Sequence, residues 1–183
     1  SLETLKGVDN VLLSKKNGKY GIIDNVGSVI IDNKYTSIEP ISDRYEDGYI
    51  VKDDDEKYGV ISYSKSVVLE NKYDDIKNVY GNGKYYIVKQ NNTWKIVDTD
   101  GKEYLNGKYD DIISINNDNA IVKSKNKYGV VSISEEKNIL DVNYDNIVYA
   151  TGNNYIVNQN SKFGIMDING NKLIDFKYSN IVY

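Results

Sequence analysis

Apolar and aromatic residues fall in short runs along this chain, each bounded by Asn, Asp, Lys or Gly. Tyr49-Ile50-Val51-Lys52 gives way to a polar loop, then to Tyr58-Gly59-Val60-Ile61, then to Val67-Val68-Leu69. Runs this short, rich in β-branched and aromatic residues, predict strands. No stretch holds a helical period beyond a turn or two. Short links make consecutive strands antiparallel neighbours. Several runs are continuous rather than alternating, so both faces of each sheet are expected to be covered.

The same phrase recurs five times. It reads Lys19-Tyr20-Gly21-Ile22-Ile23-Asp24, Lys57-Tyr58-Gly59-Val60-Ile61-Ser62 and Thr93-Trp94-Lys95-Ile96-Val97-Asp98. Lys127-Tyr128-Gly129-Val130-Val131-Ser132 and Lys162-Phe163-Gly164-Ile165-Met166-Asp167 complete it. The aromatics at 20, 58, 94, 128 and 163 step by 38, 36, 34 and 35 residues. Tyr35, Tyr73, Tyr109, Tyr144 and Tyr178 step by 38, 36, 35 and 34. A period in this range means stacked supersecondary units.

Each unit reads as four strands: a run such as Tyr49–Lys52, the aromatic-Gly strand, a run such as Val29-Ile30-Ile31, and a Tyr-x-x-Ile segment whose spacing hints at a bulge. Asp24-Asn25-Val26-Gly27, Asp98-Thr99-Asp100-Gly101 and Asp167-Ile168-Asn169-Gly170 read as hairpin turns whose glycine takes positive φ. The expected fold is all-β, with five repeats of about 36 residues, each a four-stranded antiparallel meander. The units run 10–42, 48–80, 84–116, 119–149 and 154–183 in one repeat domain, 1–183. Leu2-x-x-Leu5-x-x-Val8 matches Tyr73-x-x-Ile76-x-x-Val79, which makes 1–9 a partial preceding repeat and starts the array mid-unit. A β-propeller-like ring is favoured over an open β-solenoid.

Composition narrows the function. The net charge of −4 opposes a nucleic-acid partner, which needs a positive field. Arg44 is the single arginine, so bidentate anion forks are nearly absent. Without cysteine or histidine there is neither a thiolate nor the usual near-neutral base. No apolar run approaches the roughly 20 residues that cross a bilayer, so membrane insertion is not expected.

The aromatic-Gly-(Ile/Val)-(Ile/Val)-Asp-x-x-Gly…Tyr-Asp-x-Ile phrase resembles the WG repeat (KWG-type) family of bacterial β-repeats from Leu12 to Tyr183. Here the defining Trp-Gly is mostly Tyr-Gly, and Trp94 is followed by Lys95. Close packing of the aromatic over a missing side chain accounts for the glycine better than positive φ does. The resemblance implies a β-rich repeat without an established catalytic site, often extracellular.

Tempting chemistry dissolves when counterparts are aligned. Asp98-Thr99-Asp100-Gly101 lacks the further acidic positions of a calcium loop and reads as a turn. Asp53-Asp54-Asp55-Glu56 reads as a solvated loop. Asp74-Asp75 and Asp110-Asp111 correspond to Thr36-Ser37, Asp145-Asn146 and Ser179-Asn180, a slot for local hydrogen-bond acceptors. No metal site, cofactor or catalytic residue is expected. Twelve of the 18 tyrosines sit in framework slots, whereas Tyr45, Tyr63, Tyr80, Tyr104, Tyr149 and Tyr183 are irregular. Tyr80, Tyr149 and Tyr45 are the candidate binding residues, because an exposed tyrosine beside Asn and Asp suits stacking on a sugar or gripping a peptide.

The expected function is a non-catalytic interaction module in a larger exported or cell-surface bacterial protein, binding a protein partner. A glycan or cell-wall binding module using exposed tyrosines is the alternative. A small-propeller glycoside hydrolase would need two carboxyl groups about 5–9.5 Å apart in one pocket. Any specific site is expected among positions that break the repeat.

Overall fold

Strand-forming runs joined by tight turns fold in the computed structural model as meanders, and residues 1–5, 9–42, 47–77 and 83–181 are described. The first sheet holds β1 (Leu2–Thr4), β2 (Val11–Lys16), β3 (Lys19–Asp24) and β4 (Val29–Tyr35). The second holds β5 (Ser37–Pro40), β6 (Tyr49–Lys52), β7 (Tyr58–Ile61) and β8 (Val67–Tyr73). The third holds β9 (Asp75–Lys77), β10 (Tyr85–Gln90), β11 (Thr93–Asp98) and β12 (Glu103–Tyr104). In the fourth are β13 (Asp111–Asn116), β14 (Asn119–Ser124), β15 (Lys127–Ser132) and β16 (Lys137–Tyr144). The fifth comprises β17 (Asn146–Ala150), β18 (Asn154–Gln159), β19 (Lys162–Asp167) and β20 (Lys172–Tyr178). Strands in every sheet lie in sequence order. The all-β expectation of four-stranded antiparallel meanders therefore holds.

The phase of the sheets differs from that of the sequence units by one strand. Tyr-x-x-Ile does not close its own sheet. Tyr35 ends β4, while Ile38 lies in β5 and pairs with Val51 of the next sheet. Between them the Thr36 amide donates to the Lys52 carbonyl at 2.8 Å and turns the chain onto that sheet. The leading segment is likewise no leftover: β1 pairs with β2, Leu2 opposite Ser14, and completes the first sheet. Leu2 therefore corresponds to Ile38, not to Tyr73.

Turn chemistry follows the side chains. The hairpins at Asn17-Gly18, Asn91-Asn92, Lys125-Asn126 and Asn160-Ser161 have positive φ at both central residues, the conformation that matches strand twist. In the next turn of the unit, the Asp24, Asp98 and Asp167 carboxylates accept backbone amides two and four residues ahead. Gly27, Gly101 and Gly170 close those turns at φ 90°, 81° and 84°.

The repeated aromatic-Gly step has a different cause from the one the sequence suggests. At Gly21, Gly59, Gly129 and Gly164 a Cβ would stand 2.5, 2.7, 2.8 and 2.6 Å from a carbonyl oxygen of the neighbouring strand. Each of those strands bulges so that three residues face the single glycine, as Asp141–Asn143 do between the Tyr128–Tyr144 and Val130–Leu140 pairs. Backbone approach, rather than an aromatic ring, excludes the side chain. In the third sheet the fourth strand stops at Tyr104, and Lys95 fills the glycine slot, buried and paired with Glu103.

The chain divides into two compact units, Ser1–Thr93 with Val97–Lys102 and Trp94–Ile96 with Glu103–Tyr183. In the first unit, Ile22, Ile31 and Tyr35 of the first sheet pack with Ile38, Tyr49, Val51 and Ile61 of the second. In the other, Ile121, Val130 and Leu140 of the fourth sheet pack with Ile147, Tyr155, Val157 and Met166 of the fifth. Framework tyrosines carry a lysine ammonium over the ring, as in Lys52 on Tyr58 and Lys72 on Tyr73.

Polar clasps join successive sheets at the slot after the framework tyrosine. Lys57 of the second sheet reaches Asp74 at 2.6 Å, and Asp74 also accepts the Asn91 and Asn92 amides of the third. Lys127 of the fourth sheet reaches Asp145, whose other oxygen caps the Asn160 amide of the fifth at 2.7 Å. The first junction uses Thr36 on the Lys52 and Asp53 carbonyls, with Lys19 paired to Asp54. The acidic run 53–56 is thereby absorbed: Asp53 caps its own turn and Glu56 pairs with Lys52.

These clasps set a pH response. The Lys57 contact and hairpin amides hold the Asp74 carboxyl below the ordinary 3.8, and Lys127 with the Asn160 amide does the same to Asp145. A carboxyl depressed in the folded state contributes stability above its unfolded pKa and loses it as pH falls through the folded value. The melting temperature measured by circular dichroism is expected to fall on acidification below about pH 4. An Asp74→Asn/Asp145→Asn variant should flatten that acid limb. An unchanged limb would show that the clasps carry none of the effect.

Candidate functional site

A cleft of about 480 Å³ opens at the turn ends of the fourth and fifth sheets. Its first wall is the β13–β14 turn, where Asn117 adopts φ 52° and leads into Asp118. Asp118 is turned inward: it accepts Ser132 Oγ at 2.9 Å, Ser134 Oγ at 2.6 Å and the Ser134 amide at 3.2 Å. The Ile133 amide donates to the Asp118 carbonyl at 2.7 Å, and the Ile133 side chain is fully buried. The β15–β16 turn is thus stapled to its neighbour; it presents Glu135 to the cleft, and the start of β16 presents Asn138 and Ile139. Ile168 and Asn169 of the β19–β20 turn form the opposite wall.

The floor is a buried amide. Asn119 Nδ2 donates to the Tyr155 hydroxyl at 3.2 Å and to the Ile168 carbonyl at 3.5 Å. Burial pushes the Tyr155 phenol pKa up, opposed by the Asn119 hydrogen bond. Gly170 lies against the Ile139 carbonyl, where a Cβ would come within 2.7 Å. Those contacts hold the two turn ends at a fixed separation.

Tyr149, one of the three candidate tyrosines, stands one ring behind this floor. It is 36% exposed, donates to Asn153 Oδ1 at 2.9 Å, and meets Tyr155 edge-on at 6.0 Å. It supports the cleft without lining it. Tyr45 and Tyr80 lie outside the described residues. The repeat pattern does not single out the cleft residues themselves. Their one signal is a break in rhythm: Tyr128 to Tyr144 spans 16 residues, against 15 from Tyr20 to Tyr35, from Tyr58 to Tyr73 and from Phe163 to Tyr178. The extra residue lies between the paired Val131 and Asn138 and adds the Ser132–Lys137 pair to the ladder.

A smaller cleft of about 360 Å³ occupies the equivalent place between the first and second sheets. Asp24, Ser28, Val29 and Ile30 line one side, and Tyr63, Ser64 and Lys65 the other. The Lys65 ammonium donates to the Val29 carbonyl at 3.0 Å and joins the two sides. The irregular Tyr63, 44% exposed, therefore does line a cleft.

The carboxylate pairs face backbone. Asp74 caps the next hairpin, and Asp75 and Asp111 turn back on the Ile76 and Ile112 amides, each at 2.9 Å. Among the described residues no cluster of three or more acidic side chains is placed to hold a metal ion. Among them, too, no helix is long and apolar enough to cross a membrane.

The family described as WG containing repeat matches residues 58–94 and 96–128. Those two adjacent stretches are WG repeats. No curated protein sequence matches this chain. Among solved structures it is similar to Kluyveromyces lactis Hsv2p, with 11% identity and a TM-score of 0.51, over 94% of this chain and 61% of that one. Kluyveromyces lactis Hsv2 with its complete loop 6CD gives 11% identity and 0.51, over 90% and 58%. The computationally designed Ika8 protein gives 12% identity and 0.49, over 94% and 60%. The chain thus spans about three fifths of the length of these structures. The Hsv2 likeness bears on fold alone, and that fold is a β-propeller-like repeat.

Proposed function

We propose that this WG-repeat chain is a non-catalytic interaction module, in a larger exported or cell-surface protein, that binds an extended segment of a protein partner at the cleft between its fourth and fifth sheets. One observation carries the reading: Asn169 presents an amide side chain to a cleft lined also by Ile139 and Ile168, beside Asn138, whose own amide donates to Asp141 at 3.2 Å and accepts the Tyr109 hydroxyl at 3.4 Å. An amide offers both donor and acceptor, which is what a peptide backbone requires. The apolar pair suits a side chain. Asp118 is already engaged by three donors and serves the turn rather than a substrate.

The glycan alternative rests on the same amide, but the cleft lining contains no aromatic platform. Peptide display against the immobilised chain, run beside a glycan array, separates the two. Selected peptides are expected to lose about fivefold in affinity, by calorimetry, against an Asn169→Ala variant, since each hydrogen bond contributes on the order of 1 kcal/mol. Peptides indifferent to that variant would remove the cleft from the proposal. Glycan binding abolished by it would reassign the ligand class.

A further inference from the structure

The fifth sheet keeps an apolar face that every comparable sheet pair within a unit has covered. Its outer row contains Ile165 and Ile174, only half-buried, and Tyr178, which is 44% exposed. The counterparts in the second sheet are Val60, Leu69 and Tyr73, at 0%, 5% and 2%, packed against Ile76, Tyr86 and Val88 of the third. Leu173 is 56% exposed, whereas its counterparts Ile30 and Val68 pack on neighbouring cores. The covering element is thus defined by the chain itself, a four-stranded sheet of the same repeat.

The first sheet carries the complementary surface. On its face turned away from the second sheet, Leu2 is 61% exposed and Leu12 and Ile23 are half-buried. Their counterparts Ile38, Tyr49 and Ile61 in the second sheet are 5%, 0% and 6% exposed. The polar clasp is also divided between the two ends. Ser179 stands in the slot of Asp74 and Asp145, and Lys162 in that of Lys57 and Lys127. The Asn17-Gly18 hairpin stands in the slot of the turns those carboxylates cap, and among the described residues no carboxylate caps it.

We propose that the chain associates with a second copy of itself head to tail, the outer face of the fifth sheet packing on the outer face of the first sheet of the next copy. The contact repeats the geometry of the first and second sheets, with Tyr178 in the place of Tyr35 and Leu2 in the place of Ile38. Because the two faces differ, the interface is heterologous, and a pair retains one open face at each end.

Sedimentation velocity over a concentration series tests this. The weight-average mass is expected to rise with concentration above that of a single chain. Tyr178→Asp and Leu2→Asp should each weaken self-association at least tenfold, by about 1.4 kcal/mol. Both positions are exposed, so the melting midpoint should stay near that of the original chain; Leu173→Asp reads the same face if Tyr178→Asp alters folding. Mixing the Tyr178→Asp and Leu2→Asp proteins joins the one intact face of each and should yield a one-to-one pair that does not grow. A single-chain mass at every concentration overturns the proposal. So does a mixture that fails to pair, or self-association that survives in either single variant, which would mean a face pairing with itself.

Discussion

Gly129→Val is expected to destabilise the chain by about 3 kcal/mol or more, at the upper end of what overpacking a filled site costs. A Cβ at this position would meet the Leu140 carbonyl at 2.8 Å and the Val142 Cα at 2.9 Å, and backbone in a bulge has little room to retreat. A chain of this size should then melt lower by roughly 6–12 °C. Gly129 does not adopt positive φ, so the penalty comes from contact and must grow with side-chain size. Gly129→Ala should fall between the original and the valine variant in a urea melt; a neutral Gly129→Ala would sink the close-approach account. Lys95→Ala is the internal control. That slot already holds a side chain beside a shortened strand, and its Glu103 partner is 41% exposed, so the loss should be well under half as large.

Tyr155→Ala carries a comparable expectation, a loss of about 3–5 kcal/mol. Its ring is 1% exposed among Ile121, Val130, Leu140, Ile147 and Val157, the contact that joins the fourth and fifth sheets. Tyr155→Phe keeps that packing and removes the hydroxyl that Asn119 donates to, leaving Asn119 the longer contact to Ile168. It should cost about 1–2 kcal/mol. The two variants divide the side chain between packing and cleft architecture. Denaturant melts measure the first, and affinity for a selected peptide measures the second. If Tyr155→Phe leaves both unchanged, the hydroxyl has no part in holding the floor.

Much of this is legible from residues alone, and what is not legible has a common origin. The Asp-x-x-Gly turns and the acceptor slot at Asp74 and Asp145 are governed by contacts a few residues long or by a fixed hairpin partner. Aligning five copies exposes them. The spacing of Tyr-x-x-Ile suggests a bulge within it, whereas the bulge opposite Gly129 lies just before the tyrosine. A bulge depends on which residues pair across a ladder, and the pairing of Tyr128 with Tyr144 is not written in either run. Tyr149 reads as a surface residue and is 36% exposed, but its ring meets Tyr155 and does not line the cleft. Neighbouring Asn residues mark a loop, but they do not say which way a strand residue faces. The cleft is hidden in the sequence because its walls come from three turns and the strand ends beside them, at 117–119, 132–139 and 168–169, whose meeting follows from sheet stacking.

Local pattern is enough to specify the strands, their antiparallel order and the five-fold repeat, because hydrophobic runs and turn residues act over a few positions and recur. Where one sheet ends and the next begins is settled only by the folded chain. Tyr35 and Ile38 are three residues apart, and their ladder partners, Tyr20 and Val51, assign them to different sheets. Folding also settles which residues meet at the cleft and which apolar faces stay open, since burial depends on what a neighbouring sheet covers and not on the residue that is covered.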